Sequence, residues 1–378
     1  MNNNIFQPFS LNSIQLNNRF VMAPMTRSKA PNNIPNENTA LYYQKRVQGG
    51  VGLIITEGTY INPFSGENSF TNPKNVPNFF GEEALIGWKK VVEAVHKVGG
   101  KIFPQLWHVG GVRQPGLYPE PTWSGFGPSA VTHPHTNIKE PAKEMTLKDI
   151  ENTIHDYVKC AVSAKAIGFD GIELHGAHGY LIDQFFWEKT NLRTDIYGGK
   201  LLKERTHFAC EIIKSIRKNV GPDYPICFRF SQWKLGDYKA KLANSPKELE
   251  SFLLPLLNAG VNIFHASSRN IFDPEFENSH LNLAGWTKKM TGMPTITVGS
   301  VGLNQDFIDS FLGKTAASND YRAKSNIEEL QKRLLEGEFD LIALGRALIA
   351  DPNWVNKANN NNFDEIISFN KTMLEVYP

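Results

Sequence analysis

The sequence predicts a single-domain (β/α)8 barrel that spans residues 1–378, and three observations support this prediction. Short apolar runs alternate with longer amphipathic stretches from residue 19 nearly to the end of the chain. The runs are almost continuously apolar, as strands of a parallel sheet buried on both faces are. The stretches repeat apolar residues at helical spacing. Eight such units favour a closed barrel over an open doubly wound sheet, because no GxGxxG follows the first run.

The predicted elements follow one another in a regular order. The eight strands are predicted at 19–25, 51–58, 101–109, 169–176, 225–231, 261–268, 294–302 and 339–349. Helices are predicted after the first seven strands, at 38–50, 82–100, 146–168, 205–221, 245–260, 284–292 and 325–338. Thr146 and Ser245 are suitable N-cap residues, and Gly100, Gly168 and Gly260 mark helix ends. Residues 1–18 are expected to form a small strand pair that closes the barrel floor.

Composition excludes several classes of protein. The formal net charge is only +2, and no block of lysines and arginines is present, so neither nucleic acid nor an anionic membrane is expected as a partner. No secretory signal and no apolar stretch of about 20 residues is visible, so we expect a cytoplasmic protein, either a monomer or a homodimer. Cys160, Cys210 and Cys227 are scattered, which predicts reduced thiols and no zinc or iron–sulfur site.

Residues after the last two strands indicate a phosphate site. In such a barrel the active site lies where strands end and βα loops begin. The seventh strand ends in Gly299 and Ser300, and the eighth ends in Gly345 and Arg346. Backbone N–H groups beside one fixed positive charge are how barrels bind a phosphate.

Four further strand ends suit a planar heterocycle. Thr26 and Gly58 are small enough for a flat ring to lie against the backbone. Gln105 offers an amide donor and acceptor to an imide-like edge, and Arg229 can reach an anionic edge. A phosphorylated planar heterocycle of this kind is FMN, so we predict FMN as the cofactor and no metal.

The segment "HGAHGY" places three proton-handling side chains at the end of the fourth strand. His175 and His178 can offer two N–H donors to a carbonyl or nitro oxygen that gains negative charge during a reaction. Tyr180, with an ordinary phenol pKa of about 10, is a candidate general acid.

Two alternatives remain open for the histidine pair. The HxxH spacing also suits a metal-dependent barrel hydrolase, although zinc needs further ligands and the other strand ends offer only Glu57 as a carboxylate. The pair can also be purely structural. A flavin-binding protein without turnover is a third interpretation of the whole chain.

Long motifs resemble the Old Yellow Enzyme family of flavoproteins across essentially the whole chain. They are "MAPMTR" (22–27), "TEGT" (56–59), "QLWHVG" (105–110), "ELHGAHGYLIDQF" (173–185), "TNLRTDIYGG" (190–199), "RFS" (229–231), "TVGSVG" and "ALGRALIADP", in the family's order.

The resemblance implies non-covalent FMN, reduced by NADH or NADPH, that passes hydride from N5 to the β-carbon of an activated alkene. The implied flavin contacts are Ala23, Pro24, Met25, Thr26, Gly58, Gln105 and Arg229, with the phosphate held by Gly345, Arg346 and the backbone around Gly299 and Ser300. The small-molecule substrate, an electrophilic alkene, would bind through its oxygen to His175 and His178. Tyr180 would then donate a proton to the α-carbon.

Some features depart from the family pattern. His178 stands where many members carry asparagine, and Thr26 stands where one branch carries cysteine. Residues 313–326 resemble an inserted loop after the seventh strand.

Overall fold

The computed structural model describes residues 4–11, 13–66, 75–113, 115–116, 125–134, 136, 138–303 and 320–377. The strands in these ranges are β1 (Phe9–Leu11), β2 (Ile14–Leu16), β3 (Phe20–Met22), β4 (Leu53–Tyr60), β5 (Lys101–Trp107), β6 (Phe126–Gly127), β7 (Lys143–Glu144), β8 (Ile172–His175), β9 (Ile226–Phe230), β10 (Ile263–Ser267), β11 (Thr295–Val298) and β12 (Leu341–Leu344). Eight of them form a closed parallel barrel, in the order β3, β4, β5, β8, β9, β10, β11 and β12. This arrangement confirms the predicted fold class.

Helices connect these strands. They are α1 (Glu37–Gln48), α2 (Glu82–Lys97), α3 (Leu147–Ile167), α4 (Leu181–Phe186), α5 (His207–Val220), α6 (Pro246–Ala259), α7 (Leu283–Thr291), α8 (Asp320–Leu335), α9 (Arg346–Ala350) and α10 (Trp354–Asn359). Thr146 and Ser245 cap α3 and α6 as predicted, and Gly168 and Gly260 end them in the left-handed conformation. Within the described ranges, no helix has the length and apolar character to cross a membrane.

The first, seventh and eighth barrel strands are shorter than predicted. β3 ends at Met22 rather than at residue 25, and β11 ends at Val298 rather than at residue 302. The prediction of one strand over 339–349 is wrong, because β12 ends at Leu344 and α9 begins at Arg346. Gly345 between them adopts φ −102° and ψ −108°, which belongs to neither regular structure. The apolar run therefore contains a strand and a helix, which its composition alone does not separate. Of the predicted loop at 313–326, residues 313–319 lie outside the described residues, and α8 begins at Asp320.

The N-terminal strands pack against the lower end of the barrel. β1 and β2 pair antiparallel, with Leu11 opposite Ile14. Leu11 and Leu16 belong to one buried apolar cluster with Val21, Leu53 and other interior residues near the starts of the barrel strands. The hairpin thus lies where a floor would close the barrel.

The upper interior of the barrel is polar. Side chains of a strand alternate between its two faces, and Cys227 on β9 and Ile263 on β10 belong to the interior cluster. Arg229, two residues after Cys227, and His265 and Ser267, two and four after Ile263, therefore share that inward face. This spacing brings chemistry-bearing side chains from several strands to one end of the barrel.

Candidate active site

Polar side chains surround a buried carboxylate in the upper interior. Glu173 on β8 accepts hydrogen bonds from Gln105 Nε2 at 2.8 Å, from His265 Nδ1 at 2.6 Å and from Cys227 Sγ at 3.4 Å. Burial by itself raises the pKa of Glu173, but His265, Arg229 and Gln105 together hold that pKa below its ordinary value. Glu173 is therefore ionised at neutral pH although it is fully buried.

Arg229 lies beside this carboxylate near the end of β9. Its Nη2 donates to Ser267 Oγ at 3.3 Å, while its buried Nε has no hydrogen-bond partner among the described residues. Burial lowers the pKa of the guanidinium and Glu173 opposes that effect; arginine keeps its charge in proteins. A buried cationic donor with an unused N–H fits the electron-rich pyrimidine edge of a flavin.

Gln105 has a fixed orientation. Because its Nε2 donates to Glu173, its side-chain oxygen is the atom left to accept a hydrogen bond. The N3–H group of a flavin is a donor, so this orientation of the amide fits the ring that we predicted. Glu173 thus determines what Gln105 offers to a cofactor.

The loop after β3 is held by a second buried carboxylate. Glu57 on β4 accepts hydrogen bonds from the backbone N–H groups of Arg27 at 2.9 Å and Ser28 at 3.3 Å. Burial raises the pKa of Glu57 to about 7, and these two N–H groups oppose the rise. Just before this anchor lie the predicted ring contacts, with Ala23 buried, Pro24 and Met25 half-buried, and Thr26 exposed.

Gly58 has a close aromatic neighbour. A Cβ atom on Gly58 would lie 2.5 Å from Cε3 of Trp107, so no larger residue fits while Trp107 keeps its place. The absence of a side chain at Gly58 therefore accommodates the indole of Trp107, in addition to any ring that binds in the site.

The predicted phosphate-binding residues lie together at the same end of the barrel. β11 and β12 are neighbours, so Gly299 and Ser300 come next to Gly345 and Arg346. Ser300 Oγ donates to the backbone oxygen of Arg269 at 2.8 Å, which ties this corner to the loop after β10. A Cβ atom on Gly345 would lie 3.6 Å from Met25 Sδ, so this corner adjoins the loop after β3.

The structure brings His175, His178 and Tyr180 together at the end of β8. The ring centroids of His175 and His178 are 5.2 Å apart at 86°, and those of His175 and Tyr180 are 5.0 Å apart at 82°. Trp107 from β5 lies parallel to His175 at 6.1 Å and meets Tyr180 edge-on at 4.9 Å.

Both imidazoles are neutral and the phenol is protonated at neutral pH. Burial, followed by the charge of Arg229, lowers the pKa of His175 and of His178 well below the ordinary value. Burial raises the pKa of Tyr180, and Tyr60 and Tyr238 add to the rise. The group of rings can therefore donate neutral N–H and O–H hydrogen bonds to an oxygen and can release a proton from Tyr180.

A buried ion pair fixes the loop that carries these rings. Asp183 on α4 accepts a hydrogen bond from the backbone N–H of Gly179 at 2.6 Å through Oδ2. Its Oδ1 pairs with Lys234 Nζ at 2.5 Å, and neither side chain is exposed to solvent. Lys234 belongs to the segment after β9, so the loops after β8 and β9 are tied together.

Sequence reasoning missed several of these residues. Glu173, Ser267, the Asp183–Lys234 pair and Trp233, which stacks on His178 at 4.1 Å, were not predicted to belong to the site. Trp107 appeared only within the motif "QLWHVG". Alternation along a strand was an available signal for two of them. Glu173 lies two residues before His175, and Ser267 lies two residues after His265.

The described residues do not complete a metal site around the HxxH pair. Two groups of three potential ligands occur in the described part of the chain, Glu173–Cys227–His265 in the interior and His280–Glu336–Glu338 at the surface. Neither group includes His175 or His178, whereas catalytic zinc needs three protein ligands. In the interior group, His265 and Cys227 already donate to Glu173.

Comparisons with known proteins identify the family of the chain. The model of the NADH:flavin oxidoreductase / NADH oxidase family matches residues 4–310. The chain is 34% identical to an NADH oxidase of Thermoanaerobacter brockii over 96% of its own length, and spans 52% of that relative. It is 30% identical to 12-oxophytodienoate reductase 2 of Arabidopsis thaliana, covering 92% of this chain and 86% of that protein.

A solved structure shares the whole architecture. Morphinone reductase in complex with tetrahydroNAD superposes with a TM-score of 0.79 at 26% identity, covering 98% of this chain and 94% of the other. The family match covers most of the chain, and Arg229 and Gln105 present the donors and acceptors that a flavin ring requires. The chain therefore belongs to the NADH:flavin oxidoreductase / NADH oxidase family, the Old Yellow Enzyme family, and is an FMN-dependent oxidoreductase.

Proposed function

We propose that the protein is an NAD(P)H-dependent ene-reductase that reduces the activated C=C bond of α,β-unsaturated carbonyl or nitro compounds. One observation carries the proposal: two neutral imidazoles and one protonated phenol meet at the end of β8, near the charge of Arg229. The names of two kinds of relative, 12-oxophytodienoate reductase and morphinone reductase, are consistent with reduction of an enone.

The proposed roles of the residues follow from their chemistry. When bound, FMN supplies the hydride for the β-carbon of the substrate. His175 and His178 hold the substrate oxygen by hydrogen bonds and stabilise the negative charge that develops there. Tyr180 donates its proton to the α-carbon.

The cofactor contacts are proposed from position. Arg229 would favour the anionic reduced flavin through its charge, and Gln105 would accept a hydrogen bond from the pyrimidine edge. Ala23, Pro24, Met25, Thr26 and Gly58 would lie along the ring. The backbone around Gly299 and Ser300, with Gly345 and Arg346, would hold the phosphate.

The decisive experiment separates the two half-reactions of Tyr180→Phe. We expect flavin reduction by NAD(P)H to keep the wild-type rate in stopped-flow absorbance. Oxidation of the reduced enzyme by an enone should slow by about 100-fold or more, because a general acid contributes 10²–10⁴-fold.

Other outcomes would overturn the proposal. An equal loss of both half-reactions would show that Tyr180 supports the fold or the flavin. A wild-type protein that performs neither half-reaction would favour a flavin-binding protein without turnover. Stoichiometric zinc in elemental analysis would favour the metal-dependent hydrolase. The same stopped-flow assay, performed with NADH and with NADPH, identifies the preferred nucleotide. A cytoplasmic location and a monomeric or homodimeric state remain predictions.

A further inference from the structure

His178 is fixed in the loop after β8 by an unusual backbone conformation and by contacts with the segment after β9. It adopts φ +64°, a left-handed conformation that a residue with a side chain rarely takes. Its backbone N–H donates to Ser231 Oγ at 3.0 Å, and its backbone oxygen accepts from Leu235 N–H at 3.0 Å. Its ring stacks on Trp233 at 4.1 Å and 18°. Contacts with the segment after β9 therefore fix the backbone of His178 and the plane of its imidazole.

The two nitrogens of this ring have different surroundings. Nε2 lies 2.8 Å from Ser267 Oγ. Nδ1 has no hydrogen-bond partner among the described residues, and the residue is only half-buried. Nδ1 is thus the nitrogen that can meet a ligand in the pocket.

The position of a single proton decides what Nδ1 can do. Burial and the charge of Arg229 lower the pKa of His178 well below its ordinary value, so the ring is neutral and carries one N–H. If that proton is on Nε2, Nδ1 is an acceptor and repels a substrate oxygen. If it is on Nδ1, the ring donates to that oxygen.

Ser267 supplies the asymmetry that selects between these two tautomers. The side chain is buried at the end of β10, and Arg229 Nη2 donates to its Oγ at 3.3 Å. Since a guanidinium can only donate, this contact occupies an acceptor position of the hydroxyl. The hydroxyl proton then needs an acceptor, and His178 Nε2 is the one within reach among the described residues.

We propose that Ser267, with its hydroxyl oriented by Arg229, is a positioning residue that keeps His178 protonated at Nδ1 and so makes it a hydrogen-bond donor to the substrate oxygen. This inference rests on the proposed function and deepens it. On His175 the proton takes the opposite place, because Nδ1 accepts from the backbone N–H of Ala177 at 3.4 Å. The pocket thus receives Nε2–H from His175 and Nδ1–H from His178.

The first test reads the tautomer directly. Two-bond ¹H–¹⁵N spectra of the flavin-loaded enzyme with ¹⁵N-labelled histidine distinguish the two forms, and His178→Gln identifies the signals of this ring. We expect the Nδ1–H pattern in the wild-type enzyme. An Nε2–H pattern would overturn the proposal, whatever the enzyme reduces. This measurement needs no turnover, so it can fail while the ene-reductase assay succeeds, and the reverse.

The second test removes the hydroxyl. For Ser267→Ala we expect loss of the pure Nδ1–H pattern and roughly fivefold weaker binding of 4-nitrophenolate, followed by its absorbance, as for the loss of one hydrogen bond. Ser267→Thr, which keeps the hydroxyl, should restore both. Ser268→Ala, which removes a neighbouring buried hydroxyl without a partner among the described residues, is the matched control and should behave like wild type.

Two results of the second test would contradict the proposal. One is a Ser267→Ala enzyme with unchanged tautomer and unchanged 4-nitrophenolate affinity. The other is an equal loss of affinity in Ser267→Ala and Ser268→Ala, which would indicate general loosening of β10. If Ser267→Ala does not fold, the wild-type tautomer still decides the question.

Discussion

The lower and upper halves of the barrel interior are built from the same strands but have different roles. The lower half is an apolar core, and the upper half carries the polar residues of the site. Below, Val21, Leu53 and Phe103 form an apolar core with Leu11 and Leu16 of the N-terminal hairpin. Above, the inward positions carry a charged and hydrogen-bonded layer around Glu173. One strand can therefore stabilise the fold at its start and contribute active-site residues at its end, as barrels do in general.

The largest loss of stability is expected when the Asp183–Lys234 ion pair of the upper region is broken. In Lys234→Met, Asp183 is left as a buried charge without its partner, which typically costs about 3–5 kcal/mol of stability. Because Asp183 also holds the Gly179 peptide, we expect kcat/KM for enones to fall as well, at temperatures where the variant is folded. Chemical denaturation and steady-state kinetics measure the two effects. Lys189→Met, at a half-exposed ion pair of 3.8 Å, is the control and should cost at most about 1 kcal/mol.

Substitution of an equally buried residue in the lower region should reduce stability without reducing activity. Phe103→Ala removes a fully buried ring and is expected to cost about 3–5 kcal/mol. Flavin binding and kcat at low temperature should stay near wild type, since Phe103 lies below the polar layer. Ile86→Ala, at a side chain 52% exposed, is the control. A specific loss of flavin affinity in Phe103→Ala would show that the two halves are coupled.

Glu57, which holds the loop after β3, should make the stability of the protein depend on pH. Its folded pKa of about 7 lies above the ordinary 4.5 because of burial. A raised pKa means that stability is fully present below pH 4.5 and is lost as pH rises through 7. The expected loss in the free energy of unfolding over this pH range is about 3 kcal/mol. Glu57→Gln should remove this dependence in urea melts between these pH values; an unchanged slope would contradict the assignment.

The smallest expected effect concerns the charge under the cofactor. Glu173→Gln keeps the shape of the side chain but removes a negative charge near the predicted pyrimidine edge, so the anionic reduced flavin should become easier to form. We expect the midpoint potential to rise by about 30 mV, equivalent to ~1.4 kcal/mol for two electrons. Cys227→Ala changes the same layer without changing charge and should leave the potential in place. A potential that falls in Glu173→Gln would contradict this account.

Local pattern was sufficient for the architecture and for the residues at strand ends. Continuous apolar runs predicted all eight barrel strands, and β8 ends at His175, one residue before the predicted end. The run at 339–349 was wrongly assigned because a buried strand followed by a buried helix has the same composition throughout. The roles of the predicted site residues remain proposals, although the structure brings the histidines and Tyr180 together.

Contacts between distant segments could not be predicted in this way. Asp183 and Lys234 are separated by 51 residues, and His178 and Ser267 by 89, so no periodicity links them. Their pairing depends on the closure of the barrel, which sets strand neighbours and register.

The sequence by itself determined the barrel, its strand ends and the kinds of side chain available there, because periodicity and glycine placement are local properties of the chain. Only the tertiary structure decided how those side chains are charged and oriented. Burial makes His175 and His178 neutral, Glu173 turns the amide of Gln105, and Ser267 with Arg229 directs the proton of His178. Desolvation and hydrogen bonding act between segments far apart in sequence, so they exist only once the barrel has closed.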